Sequence, residues 1–259
     1  MIRGIYAVLV IDLKRFWLDR ARMIMGLAQP LLYLFVLGAG IGSSSLQGGA
    51  NYQRFIFPGV LALSMLFTAT FAAISIVFDR QIGFFKAVLV APVPRPAIAL
   101  GKVAAGAVQA AIQGLIVLPF APLVSVHLGM IETVELLGSM TLACITFSAI
   151  GVAFASRFNS VTVFPIVSNA VLLPMFFLSG ALYPLEKAPD WMKLAAHADP
   201  VAYAVDLMRG AVLHTFFFPV WLSLAVLTGV IAVLTYSGVQ VLKRGEDDSS
   251  LGASKFTWK

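Results

Sequence analysis

Apolar residues run through this chain in six long blocks, separated by short polar or basic interruptions. The blocks cover residues 23–42, 56–78, 98–119, 133–155, 162–182 and 219–242. Each is close to the roughly 20 residues that a helix needs to cross a hydrocarbon layer about 30 Å thick. The pattern predicts an all-α membrane protein with six transmembrane helices in one domain over 23–242. Ahead of the first block, Ile2, Ile5, Tyr6, Leu9, Leu13, Phe16 and Trp17 recur at helical spacing, with Asp12, Lys14, Arg15, Asp19 and Arg20 on other faces. That spacing predicts an amphipathic helix over 1–22 lying in the membrane interface. A basic flank that merely anchors orientation accounts for the same residues. A secretory signal does not, because its apolar core would directly follow a short basic region and end at a small-residue cleavage site.

Composition removes most other classes. The chain is 60% hydrophobic and 12% charged, with a mean hydropathy of +0.93, outside the range of soluble globular domains. Six crossings put both termini on one side of the membrane. That side carries 14 of the 18 basic residues and six of the 12 acidic ones, a surplus of +8, against −2 on the other side. Basic residues in short loops are retained in the cytoplasm. Both termini, including the tail over 243–259, are therefore expected in the cytoplasm of a multi-pass protein of the bacterial inner membrane. The pI of about 9.6 reflects this asymmetry, and no nucleic-acid partner is implied.

Motifs for bond chemistry are scarce. Gly101 and Lys102 resemble the end of a phosphate-binding loop, but Pro96 stands where its first glycine is needed and Val103 where Ser or Thr should follow. Ser179 and Gly180 resemble part of an intramembrane serine protease site, but Phe177 replaces the required glycine and no later span contains a histidine. Cys144 is the only cysteine and suits packing in the fourth span. His127, His197 and His214 lie on the outer side without the spacing of a zinc site. No metal site, catalytic residue or bound cofactor is expected in this chain.

The spans carry packing and lining chemistry instead. Gly106, Ala110 and Gly114 repeat every four residues in the third span, and Gly38 and Gly42 end the first, a pattern that brings helices close in lipid. The fifth span combines Pro165, Asn169, Pro174, Ser179 and Gly180 with Phe164, Phe176 and Phe177, which suits a kinked wall of a translocation path. The second span offers Ser64, Met65, Phe67, Thr68, Phe71 and Ser75, a mixture that suits amphipathic cargo and equally suits ordinary packing against lipid or core.

Between the second and third spans lies the most unusual segment, DRQIGFFKAVLVAPVPRP at 79–96. Charges alternate with Phe84, Phe85, Val88 and Leu89 at helical spacing, and Pro92, Pro94 and Pro96 stop the helix. This predicts a short cytoplasmic helix within a segment spanning 79–97.

These residues, with FIFPGVLALSMLF entering the second span, SGALYPLEKAPDW leaving the fifth and DPVAYAVDLMRG before the sixth, resemble the membrane subunits of type-2 ATP-binding-cassette (ABC) exporters. The resemblance is to the branch of daunorubicin-exporter and nodulation-factor-exporter permeases, and it extends over nearly the whole chain. It implies that Asp79, Arg80, Gly83, Phe84, Phe85 and Lys86 belong to a coupling helix docking on a separate ABC ATPase, where ATP and Mg are bound. It also implies a unit of two permeases, as a homodimer, and two ATPases.

In that unit the second and fifth spans line the path. Ser64, Met65, Phe67, Thr68, Phe71, Asn169, Phe176, Phe177 and Ser179 are the candidate substrate-path residues. The resemblance further implies that 183–218 re-enters the outer leaflet, giving Tyr183, Trp191, Asp199, Pro200 and Arg209 as candidates for an outer gate. Asp199 departs from the asparagine that many relatives carry, and either residue can cap the following helix.

The expected function is ATP-driven outward transport of an amphipathic drug, as in multidrug efflux, or of a lipid or lipid-linked molecule, by alternating access. Polysaccharide or oligosaccharide export by a permease of the same family is the alternative. An ATP-independent channel is disfavoured, because no charged residue falls in the middle of any predicted span. A proton-driven carrier would want an intramembrane carboxylate, and a membrane-embedded transferase would need clustered acids or histidines.

Overall fold

A computed structural model describes residues 1–38, 40, 49–81 and 95–253, with the side chains of 49–51, 95 and 242–253 not described. Among these residues the chain is helical with no strand. The order is α1 (Ile2–Leu18), α2 (Arg20–Leu32), α3 (Gly49–Ala72), α4 (Ile74–Gln81), α5 (Arg95–Val117), α6 (Met130–Ala155), α7 (Val163–Leu178), α8 (Asp190–Ala198), α9 (Pro200–Leu213) and α10 (Val220–Ala253). A π-helical turn, Tyr33–Leu37, continues α2, and 3-10 turns at Leu118–Val124 and Leu185–Lys187 follow α5 and α7.

Among the described residues, five stretches are long and apolar enough to cross a membrane: Arg20–Leu37, Tyr52–Gln81, Pro96–Val124, Met130–Ala155 and Val220–Val241. The fifth expected span differs. Its helix, α7, has 16 residues, about 24 Å at 1.5 Å per residue, and it ends short of the expected residue 182. Gly180 adopts φ +73, where a side chain would be strained, and the space where its Cβ would stand is filled by Leu185. The chain therefore turns here.

The core forms where small residues let helices meet. On α5, a Cβ at Gly106 would collide with Ser148 Oγ of α6, whose hydroxyl donates to the Val103 carbonyl at 2.7 Å. On α6, a Cβ at Gly151 would stand 2.7 Å from Thr70 Cα. The stripe of small residues on α5 thus faces the centre of the bundle, as its spacing predicts. The apolar window of α3 is 78% buried within the chain, against 11% for that of α2, so α3 is central and α2 peripheral. Helix α9 is the unexpected core element, with Val201 to Ala211 all buried against α3, α6 and α10.

Helix α1 packs along α5, where the absence of a side chain at Gly101 admits it: a Cβ there would lie 2.8 Å from Val8 Cβ. Its inward residues are Asp12 and Phe16, while Ile2, Tyr6 and Trp17 are exposed. The spacing placed Asp12 on a polar outer face, and the structure buries it instead.

Candidate coupling and translocation site

A buried ion cluster holds together the end of the bundle where α1, α4 and α5 meet. Lys102, on the first turns of α5, lies between two carboxylates from other helices: its Nζ is 3.0 Å from Asp12 Oδ2 of α1 and 2.9 Å from Asp79 Oδ2 of α4. A third bond, 2.9 Å, runs from Nζ to Ser75 Oγ. An ammonium has three donors, so Lys102 is fully satisfied. Arg15 Nη1 completes the group by donating to Asp79 Oδ1 at 3.1 Å. Two acids and two bases neutralise one another, and Asp12, Asp79 and Lys102 are each 4–6% exposed.

Arg80, next along α4, points the other way. Its Nη1 donates to the Ser156 carbonyl at 3.1 Å, the Phe158 carbonyl at 3.3 Å and Asn159 Oδ1 at 2.9 Å. A cation is thereby set on the carbonyl end of α6, where the helix dipole favours it. Gln81 adds a bond to the Asn159 carbonyl at 3.0 Å. The last turn of α4 is thus tied to α1 and α5 on one flank and to the end of α6 on the other. Gly83, Phe84, Phe85 and Lys86 lie outside the described residues. Of the coupling candidates that are described, Asp79 turns inward and Arg80 is half-buried against α6, so both anchor the last turn of α4.

The substrate-path candidates do not meet in one cavity within the chain. Phe67, Thr68 and Phe71 of α3 line a cavity of about 250 Å³ whose opposite wall is Arg22, Met25 and Gln29 of α2. Ser64 and Met65 face inward instead: Ser64 donates to the Leu61 carbonyl at 2.8 Å and Met65 packs on Cys144 at 3.5 Å. On α7, Phe176 and Ser179 are buried, Ser179 donating to the Phe176 carbonyl at 2.7 Å. Asn169 and Phe177 are exposed on a face shared with Val163 and Ile166.

Among the residues expected at an outer gate, Arg209 is buried and donates to the Gly180 carbonyl at 2.7 Å, with its guanidinium 4.1 Å from the centre of the Phe55 ring. Asp206, one turn earlier, accepts from the Phe217 and Phe218 amides, both at 2.9 Å. The two charges of α9 therefore pair with backbone groups: one fixes the turn after α7, the other the connection into α10. Trp191 is exposed on α8, Tyr183 is half-buried, and Pro200 opens α9. Asp199 caps α9 through a bond from the Val201 amide to Oδ1 at 2.9 Å, while its Oδ2 is buried with no partner. Burial pushes the Asp199 carboxyl up to about 7.

Lys102 and Asp12 were absent from the sequence candidates, and Asp79 was read only as part of a docking surface. A signal existed: Lys102 lies inside the apolar block that starts at residue 98, and a charge there calls for a partner. Asp206 likewise interrupts an apolar stretch. Among the described residues no group of His, Cys, Asp or Glu could hold a metal ion.

The chain matches the family profile described as "ABC-2 type transporter" over residues 3–213. It belongs to the ABC-2 type transporter family. Among its relatives, "Nodulation protein J" of Rhizobium leguminosarum bv. trifolii is 32% identical over 73% of both chains. The protein of the same name from Rhizobium leguminosarum bv. viciae is 30% identical over 86% of this chain and 87% of its own. "Inner membrane transport permease YadH" of Escherichia coli is 27% identical over 80% and 81%. This ABC-2 chain is therefore a transmembrane permease, a class that works with an ATPase subunit and is not itself typically an enzyme.

Two outcomes test the electrostatics. Lys102→Met leaves two buried carboxylates facing Arg15 alone and should destabilise the permease by about 3–5 kcal/mol. Adding Asp12→Asn removes one of those uncompensated charges, so the double variant should melt above Lys102→Met in detergent. A double variant that melts lower would contradict the cluster. For Asp199, a folded-state carboxyl held above its unfolded value makes stability fall as pH rises from about 4 towards 7. Asp199→Asn keeps the cap and removes the charge. It should flatten that fall and raise Tm at pH 8, measured by melting across the range.

Proposed function

We propose that this permease is the membrane half of an ATP-driven exporter in the bacterial inner membrane. It moves an amphipathic drug, lipid or lipid-linked molecule outward by alternating access. The observation that carries the reading is the double anchoring of α4, whose last turn is tied to the Lys102 cluster on one flank and through Arg80 to the end of α6 on the other. A push on Gly83, Phe84, Phe85 and Lys86 from a cytoplasmic ATPase is then delivered to α1, α4, α5 and the end of α6 as one body.

Several features support the remaining parts. Helix α7 serves as the fifth of six crossings, completed by the turn at Gly180, which leaves both termini in the cytoplasm. Its exposed face of Val163, Ile166, Asn169 and Phe177 suits a second permease, giving a homodimer with two ATPases that bind ATP and Mg. The exposed Ile2, Tyr6 and Trp17 of α1 suit the inner lipid interface, and Trp191 and Leu194 of α8 suit a re-entrant position in the outer leaflet. The aromatic wall of Phe67 and Phe71, with ring centres 5.8 Å apart, favours amphipathic over sugar cargo.

In the complex reconstituted with its ATPase, Phe84→Asp or Gly83→Asp should abolish transport and cargo-stimulated ATP hydrolysis while the permease stays in the membrane. Normal coupling in both variants would overturn the assignment.

A further inference from the structure

The cavity between α2 and α3 has one unusual wall. Arg22 stands in the first turn of α2 with its backbone amide bonded to Asp19 Oδ1 at 3.1 Å. Its guanidinium, by contrast, makes no hydrogen bond or ion pair among the described residues, and Nη2 is buried from solvent. Asp19 and Asp12 attract it through space, but Asp19 Oδ1 is bonded to the Arg22 amide and Asp12 to Lys102, and neither forms an ion pair with the guanidinium. A half-buried cation with no direct hydrogen-bond partner on its buried Nη2 is favoured when a bound anion supplies one. The other walls are mostly apolar, with Phe16 from α1, Met25 from α2 and Phe67 and Phe71 from α3; Gln29 of α2 adds an amide and Thr68 is the one hydroxyl among the α3 residues.

We propose that this cavity is a binding site for an anionic amphiphile. Arg22 takes the phosphate or carboxylate head in a forked, charge-assisted pair. Thr68 adds a hydroxyl, and the first part of the chain lies against Phe67, Phe71 and Met25. At about 250 Å³ the cavity is below the size of a drug-sized pocket. It receives the head and the adjoining methylenes, and the rest of the molecule passes out along α2, where Ile24 and Met25 are exposed. The shared chemistry fits both a transported cargo and a resident anionic phospholipid. The cargo identity rests on the exporter reading; binding to the permease alone does not.

Dodecyl phosphate is the probe, added to the full-length permease in nanodiscs of zwitterionic lipid, with dodecylphosphocholine as the comparison. Dodecyl phosphate should bind in an Arg22-dependent way: Arg22→Gln weakens it about tenfold or more, Arg22→Lys restores part, and Arg20→Gln, an exposed position, leaves it unchanged. A diazirine-bearing dodecyl phosphate should label wild-type peptides containing Met25 or Phe67, which keeps the test open if Arg22→Gln folds poorly. Equal binding of both detergents, unaltered binding to Arg22→Gln, or labelling confined to other helices would overturn the site. In the complex with the ATPase, Arg22-dependent stimulation of hydrolysis by dodecyl phosphate identifies the anion as cargo. Displacement of the probe by phosphatidylglycerol without stimulation identifies it as resident lipid. Either result upholds the anionic site, and loss of coupling with binding intact faults only the exporter reading.

Discussion

The packing of α1, α4 and α5 in this permease depends on one lysine holding two carboxylates out of water. Lys102 comes from α5, Asp12 from α1 and Asp79 from α4, and each is nearly inaccessible to solvent. Charges buried in this way add little net stability over a well-packed apolar core, but removing one partner is severe. What the arrangement supplies is position: three elements far apart in sequence can adopt only the register that keeps all three charges satisfied. The same register fixes the last turn of α4, next in sequence to the segment proposed to meet the ATPase.

A second, independent set of constraints governs the outer end. There the charges of α9 pair with backbone: Arg209 with the carbonyl at Gly180, Asp206 with the amides of Phe217 and Phe218. Each bond holds a turn that the main chain cannot stabilise by helix hydrogen bonds alone. The α8–α9 pair is thereby fixed against the bundle, and inner and outer ends are held by separate polar clusters with the apolar stack of α3, α5 and α6 between them. In the proposed cycle these are the two bodies that could move relative to one another.

Much of this was legible in the sequence because membranes impose length and periodicity. The spans of α2, α3, α5, α6 and α10 follow from apolar runs, and the facing of Gly106 towards α6 follows from its four-residue stripe. Three things were not legible. The early end of α7 depends on a single positive φ at Gly180 inside an apolar run. The burial of α9 depends on partners for Asp206 and Arg209 that lie in remote backbone. Asp12, Asp79 and Lys102 look like ordinary interfacial charges one at a time, and only their meeting in space turns them into a core. For the same reason the substrate-path candidates divided. Phe67, Thr68 and Phe71 came together on a cavity with Arg22, while Ser64 and Met65, read from the same helix, turned inward.

The claim that the inner elements move as one body is tested most directly by a distance measured across them. Spin labels at Lys14 on α1 and Gln81 at the end of α4, both exposed, can be read by pulsed electron resonance in the permease–ATPase complex. The account predicts the same distance distribution without nucleotide and with ATP trapped, because the Lys102 cluster holds α1 and α4 together through the cycle. A clear shift or broadening between the two states would contradict it.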